Sequence, residues 1–181
     1  MRKEFEENLK NGKVILVKEN FDIKKYFCEV PEPKKPQKIP YAKPTLEAFF
    51  YNPSSAVQKT IMVSNSTDGW IQICRAIGRE LKCRYYYFSM DNVGNLFESG
   101  DGVNKRIVYS IKEDKWIFHD AGEILPFENE GYYKKRKKSD RMNKQILMEY
   151  CEALNLDIFD DLFWRSKDEG LLYIIKNSRQ T

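Results

Sequence analysis

The chain has 181 residues, of which 41% are hydrophobic and 32% charged, and its 11 Phe, 11 Tyr and 3 Trp supply large groups for packing. This composition excludes an intrinsically disordered chain, and the length suits one domain rather than two full cores. The formal net charge of +4 is too small to mark a nucleic-acid-binding protein by itself.

A proline-rich segment divides the N-terminal part of the chain. Before it, a short strand is predicted at residues 13–17, after the Asn11 and Gly12 turn. Five prolines then fall within residues 31–45 and alternate with lysines, which excludes a helix interior or a central strand. We therefore predict an N-terminal segment over residues 1–30, an extended arm over 31–45 and the main domain over 46–181.

The main domain alternates short strands with helices. Apolar residues at helical spacing from Trp70 to Leu81, and again from Met142 to Leu154, predict two amphipathic helices. A third, short helix is predicted at 157–164. Strands are predicted at 57–63, 83–90, 96–99, 105–111, 116–119 and 171–175. Short strands joined by tight turns indicate an antiparallel meander of about 4–6 strands, and two or three helices packed against it make the fold a single α+β domain.

The residue types that carry metal or catalytic chemistry are sparse. Four cysteines are widely spaced and His119 is the single histidine, so the ligand spacing of a zinc site is absent. His119 is followed by Asp120, but neighbouring strand residues point to opposite faces. Glu98 and Asp101 are assigned to turns. The sequence contains neither a glycine-rich phosphate loop nor a nucleophile elbow, and we predict no catalytic residue, no metal and no cofactor.

The most distinctive feature is the basic run, five consecutive cations at residues 134–138. Residues 131–145 carry seven cations and one anion, a local charge of +6, and the rest of the chain therefore sums to −2. Residues 152–169 carry a local charge of −4. The candidate partner or phosphate contacts are the cations of this region and the two tyrosines before them: Tyr132, Tyr133, Lys134, Lys135, Arg136, Lys137, Lys138, Arg141 and Lys144.

Three uses of the basic run are open. In the first, the run is a solvated lead-in to the helix or is paired internally with the acidic segment 157–161. In the second, it binds the acidic surface of another protein. In the third, the run binds nucleic acid, and the two tyrosines stack on bases while the cations hold phosphates. The slightly acidic remainder of the chain argues against nucleic acid.

Without catalytic motifs, an aromatic-rich protein of this size is typical of a binding protein that acts through a shaped surface. In composition and architecture it is similar to the small immunity proteins that neutralise bacterial toxins, although no motif of that class is present. We expect a non-enzymatic interaction module with a protein partner. The first alternative is a nucleic-acid accessory protein, and the second is an enzyme or small-molecule binder with a pocket lined by Trp70, Tyr86 and Trp116.

Cellular location is predicted from two sequence features. The first ten residues are charged, unlike a secretory signal, and the longest aliphatic runs are far too short to span a membrane. The cysteines suggest no disulfide framework. We expect a cytoplasmic protein that does not associate with membranes; the sequence does not predict an oligomeric state.

Overall fold

A computed structural model describes residues 12–17, 46–55, 59–64, 70–90, 93–165 and 170–175. The chain folds into two compact units, which we call the terminal unit (Met1–Gly69 with Asp157–Thr181) and the central unit (Trp70–Leu156). The proline-rich arm and, apart from residues 12–17, the N-terminal segment lie outside the described residues, and the domain boundaries predicted from the sequence remain a prediction.

In chain order the elements are β1 (Gly12–Val17), β2 (Leu46–Tyr51), β3 (Ile61–Ser64), α1 (Ile71–Leu81), β4 (Tyr85–Met90), β5 (Gly94–Gly100), β6 (Lys105–Lys112), β7 (Trp116–Ala121), the one-turn helix α2 (Glu130–Tyr133), a 3-10 helix (Lys138–Asp140), α3 (Lys144–Ala153) and β8 (Gly170–Ile175). The predicted α+β class, with an antiparallel meander and packed helices, is confirmed.

The terminal unit contains an antiparallel sheet in the order β1-β8-β2-β3. One of its two inner strands, β8, is the last strand among the described residues, and Phe49 on β2 lies opposite both Leu172 on β8 and Val63 on β3. The sequence did not predict β2. Ala48 and Phe49 are both buried although they are adjacent in the strand, so β2 lacks the apolar and polar alternation that marks a half-exposed strand.

The prediction of a helix at 157–164 is wrong, because this segment forms successive turns instead. The Asp157 carboxylate accepts hydrogen bonds from the backbone amides of Phe159 (3.1 Å) and Asp160 (3.2 Å), and the Asp160 carboxylate accepts one from Leu162 (2.9 Å). Aspartate side chains that bind nearby amides in this way compete with helical hydrogen bonding. The aspartates that make the segment acidic therefore also set its conformation.

The central unit is built on an antiparallel meander in the order β4-β5-β6-β7. Phe97 on β5 lies between Phe88 on β4 and Val108 on β6, and this face of the sheet carries the core. Helix α3, together with Met142 just before it, covers the face with the apolar positions that the periodicity predicts: Met142, Ile146, Leu147 and Tyr150 are all buried. The helix after the basic run is thus an anchor for the residues that precede it.

Helix α1 packs beside β4 through a close approach at Gly78. A Cβ atom at this position would lie 2.7 Å from Cδ1 of Tyr85, so any larger residue would push the helix away from the strand. The predicted helix is confirmed, but its predicted buried stripe does not extend to Leu81, whose side chain is 71% exposed. Within the described residues, no helix is long and apolar enough to cross a membrane.

Candidate functional site

The segment before the basic run is fixed to the sheet by a buried arginine, Arg106 on β6. Its side chain is 2% exposed. Nε donates to both carboxylate oxygens of Glu128, at 2.9 and 3.0 Å, and Nη2 donates to the same carboxylate at 2.7 Å. Nη1 binds the Asp120 carboxylate and, at 3.0 Å, the carbonyl oxygen of Ala121. Such multidentate pairing compensates for the cost of burying a charge.

Glu128 also links Arg106 to Tyr133, the residue just before the basic run. The Glu128 side chain is fully buried and accepts a hydrogen bond from the Tyr133 hydroxyl, which also lies 2.6 Å from the hydroxyl of Tyr150 on α3. Burial, followed by the interaction with Glu128, raises the pKa of Tyr133 well above its usual range, and burial raises the pKa of Tyr150 to about 12. Both phenols therefore stay protonated at neutral pH and can donate.

Two further hydrogen bonds hold the backbone of the basic run, one at its last residue and one near its start. The hydroxyl of Ser110, a fully buried residue of β6, donates to the carbonyl oxygen of Lys138 at 2.7 Å. Nε of Arg141 donates to the carbonyl oxygen of Lys135 at 2.6 Å, while its guanidinium lies 5.2 Å from the ring centre of Phe118. The run is therefore an ordered segment with bonds at both ends, and its cationic side chains extend from this framework.

The side chains of the basic run are all exposed, but they differ in their partners. Lys134 pairs with Glu130 at 2.6 Å and Lys137 with Asp140 at 3.7 Å; these lysines are 74% and 73% exposed, so the pairs contribute little to stability. Nζ of Lys135 lies 4.5 Å from the ring centre of Tyr132.

The side chains of three exposed cations of this region have no hydrogen-bonding or ionic partner anywhere in the part of the chain that the structure describes: Arg136, Lys138 and Lys144. Lys144 is the first residue of α3, where the helix dipole is positive and a cation is unfavourable. The first turn of α3 carries no acidic residue, and Asn143 caps it by accepting from the amide of Ile146 at 3.0 Å. We call residues 134–138 together with Lys144 the basic surface; its charge is concentrated, and its two ion pairs contribute little to stability.

The two tyrosines predicted as partner contacts occupy different environments. Tyr133 is 6% exposed, so its ring is not available to a ligand. Tyr132 is half-buried, and its hydroxyl donates to Glu149 at 2.7 Å, a bond that raises its pKa. Its ring already has Lys135 nearby. The pair does not form the open stacking platform that single-stranded nucleic acids use.

A second ionic cluster surrounds Glu98. The assignment of this residue to a turn is wrong, whereas the strand predicted at 96–99, which contains it, is confirmed. Glu98 lies inside β5 and is 1% exposed. It accepts from Nε and Nη2 of Arg75 at 2.7 and 2.6 Å and from the Tyr85 hydroxyl at 2.7 Å, and Lys105 lies at 3.2 Å. Burial raises the pKa of Glu98, but the hydrogen bonds outweigh burial and leave it lowered. With its acceptors occupied by four contacts, the carboxylate has a structural use.

The remaining sequence candidates are not brought together. Asp101 does form a turn, accepting from the amides of Val103 and Asn104 at 3.0 and 2.8 Å. His119 is exposed and stacks on Tyr109 with ring centres 5.0 Å apart, whereas its neighbour Asp120 binds Arg106. Of the residues predicted to line a pocket, Tyr86 lies on β4 and Trp116 on β7, which are opposite edges of the sheet.

Other chemistry-bearing groups are isolated. Among the described residues, no cluster of three or more His, Cys, Asp or Glu side chains has an arrangement that fits a metal ion. The thiol of Cys151 is buried, and burial raises its pKa to about 11. Burial likewise raises the pKa of the Cys74 thiol to about 11, so neither thiol is a ready nucleophile.

Comparison with known proteins gives no relative. No protein-family model matches the sequence, and no curated protein or solved structure is significantly similar to the chain.

Proposed function

We propose that this protein is a non-enzymatic interaction module that binds the acidic surface of a partner protein through its basic surface. The observation that carries the proposal is the exposure of the charged side chains of Arg136, Lys138 and Lys144, which have no hydrogen-bonding or ionic partner among the described residues. Concentrated like charges repel one another, and a cation at the N-terminus of a helix opposes its dipole. Charges arranged at a cost to the fold are readily explained by an external anionic ligand.

An external partner is favoured over an internal one because every cation of the basic run is exposed. A protein is favoured over nucleic acid for two reasons. The buried Tyr133 and the hydrogen-bonded Tyr132 leave no pair of free rings for base stacking. Outside residues 131–145 the chain sums to −2, and this would repel a long polyanion that extends beyond the basic surface.

The proposal includes an immunity-like role, in which the partner is one cognate protein bound tightly and in a one-to-one complex. It also places the protein in the cytoplasm, where its free cysteines Cys74, Cys83 and Cys151 would remain reduced. Electrostatic attraction to an acidic partner would mainly accelerate association.

The first experiment measures binding of poly-L-glutamate and of random-sequence duplex DNA at low and moderate salt. The test variant is Arg136→Glu with Lys138→Glu, and the matched control is Lys82→Glu with Lys115→Glu, which reverses two other exposed cations and changes the net charge equally. We expect poly-L-glutamate to bind the wild type and the control, and the test variant to lose about tenfold or more in affinity, a loss of about 1.4 kcal/mol.

Equal losses in both variants would show a net-charge effect and contradict the proposal. Tighter binding of DNA than of poly-L-glutamate, weakening as salt rises, would instead support the nucleic-acid alternative. The same two variants then serve as baits in native extract. The proposal requires a protein that the wild type and the control capture, that salt releases, and that Arg136→Glu with Lys138→Glu does not retain.

A further inference from the structure

The shape of the basic surface depends on two residues that carry none of its outward charge. Ser110 reaches it from the sheet, with its hydroxyl 2.7 Å from the carbonyl oxygen of Lys138. Arg141 reaches it from the start of the next segment, with Nε 2.6 Å from the carbonyl oxygen of Lys135. The side chain of Arg141 is directed toward this carbonyl and the ring of Phe118, although the sequence placed it among the outward-facing cations.

The 3-10 helix at the end of this segment lies close to β6 and β7, and among the described residues these two bonds are the side-chain hydrogen bonds to the backbone of the basic run. Between the buried residues Tyr133 and Met142, the side chains of the basic run are exposed and contribute little packing. Backbone hydrogen bonds close single turns, from Lys135 to Tyr132 and from Asp140 to Lys137, but among the described residues no backbone bond of this kind reaches the sheet. A lysine-rich segment without tertiary ties would sample many conformations, and a ligand would have to order it at an entropic cost.

We propose that Ser110 and Arg141 are positioning residues that hold the basic surface in its binding conformation before the partner arrives. This inference rests on the proposed function for its effect on binding, but the ordering of the segment can be measured without any ligand. Trypsin cleaves after lysine and arginine, and cleavage requires the segment to leave its folded conformation. The basic run therefore offers trypsin five adjacent sites whose accessibility reports on the two hydrogen bonds.

The test compares Ser110→Ala with Ser110→Thr, which keeps the hydroxyl, and adds Arg141→Lys, which keeps the charge but removes the Nε donor. We expect trypsin to cleave within residues 134–138 several-fold faster in Ser110→Ala and Arg141→Lys than in the wild type. Ser110→Thr should behave like the wild type. Because Arg141 is only partly buried, Arg141→Lys should keep the unfolding midpoint of the wild type, so its result stands even if Ser110→Ala is destabilised.

Binding of poly-L-glutamate then separates the two proposals. We expect Ser110→Ala and Arg141→Lys to lose about 3- to 10-fold in affinity through the cost of ordering the segment, with Ser110→Thr restoring it. If the wild type does not bind poly-L-glutamate, the proposed function fails, but the cleavage result still tests the positioning role. The positioning role is overturned if Arg141→Lys resists trypsin like the wild type, or if faster cleavage leaves the affinity unchanged.

Discussion

Arg106 and Arg136 belong to the same compact unit, yet their surroundings are opposite. Arg106 is buried and its guanidinium is engaged by Glu128, Asp120 and backbone carbonyls, whereas Arg136 is exposed and has no partner within the described ranges. A buried charge is tolerated only when it is paired, so the first group is tied to the fold. The second group has no structural explanation of that kind, and this difference separates the charges that stabilise the protein from those that we assign to binding.

The largest expected effect comes from breaking the buried network. Replacing Glu128 by Ala leaves Arg106 in the protein interior without its main counter-charge, and we expect a loss of about 3–5 kcal/mol in the free energy of unfolding. The matched control is Glu130→Ala, which removes the exposed partner of Lys134 and should cost less than about 1 kcal/mol. Urea unfolding of both variants measures the contrast, and similar losses would remove the distinction between the two groups.

The Glu98 cluster adds a pH dependence of defined sign. The pKa of Glu98 is lowered in the folded protein. The stabilising contribution of its carboxylate is therefore complete at pH values above the pKa of the unfolded state, about 4.3, and is lost as the pH falls through the pKa of the folded state. Glu98→Gln should cost about 2 kcal/mol at pH 7, and the difference from the wild type should shrink in acid. Denaturant unfolding from pH 7 to pH 2 tests this; a constant difference would contradict it.

A smaller effect distinguishes the two tyrosines that precede the basic run. Tyr133→Phe removes a buried hydroxyl that contacts Glu128 and Tyr150, and we expect a loss of about 1–2 kcal/mol. Tyr132→Phe removes a hydroxyl from a half-buried site and should cost less than about 1 kcal/mol. Thermal or denaturant unfolding of the two variants ranks them, and the reverse order would place the anchor of the basic run at Tyr132.

The parts of the fold that were predictable are those encoded in short-range patterns. The spacing from Met142 to Leu154 predicted α3, and turn residues between aromatic and aliphatic runs predicted the meander. The interactions that were missed join distant positions: Arg106 binds a carboxylate 22 residues away, and Arg75 binds one 23 residues away. Nothing in the neighbourhood of a charged residue reveals such a partner, because the pairing is created by the register of the strands and the docking of the helices.

The basic surface shows the same limit of prediction from sequence. Its composition was visible in the sequence, and Glu130 stands four residues before Lys134, a spacing that allows an ion pair on a helix. The one-turn helix α2 that brings the two together was not predicted. The burial of Tyr133 and the inward use of Arg141 also follow from tertiary packing. One signal was available in advance: Lys144 follows Asn143, a favoured N-cap residue, which places a cation at the start of a helix.

The central claim is that the unpartnered cations serve binding and not folding. The most direct test measures two quantities on the same variant, Arg136→Glu with Lys138→Glu: the free energy of unfolding and the affinity for poly-L-glutamate at low salt. We predict that the free energy of unfolding stays within about 0.5 kcal/mol of the wild type, while the affinity falls about tenfold or more. A substantial loss of stability, or an unchanged affinity, would contradict the account.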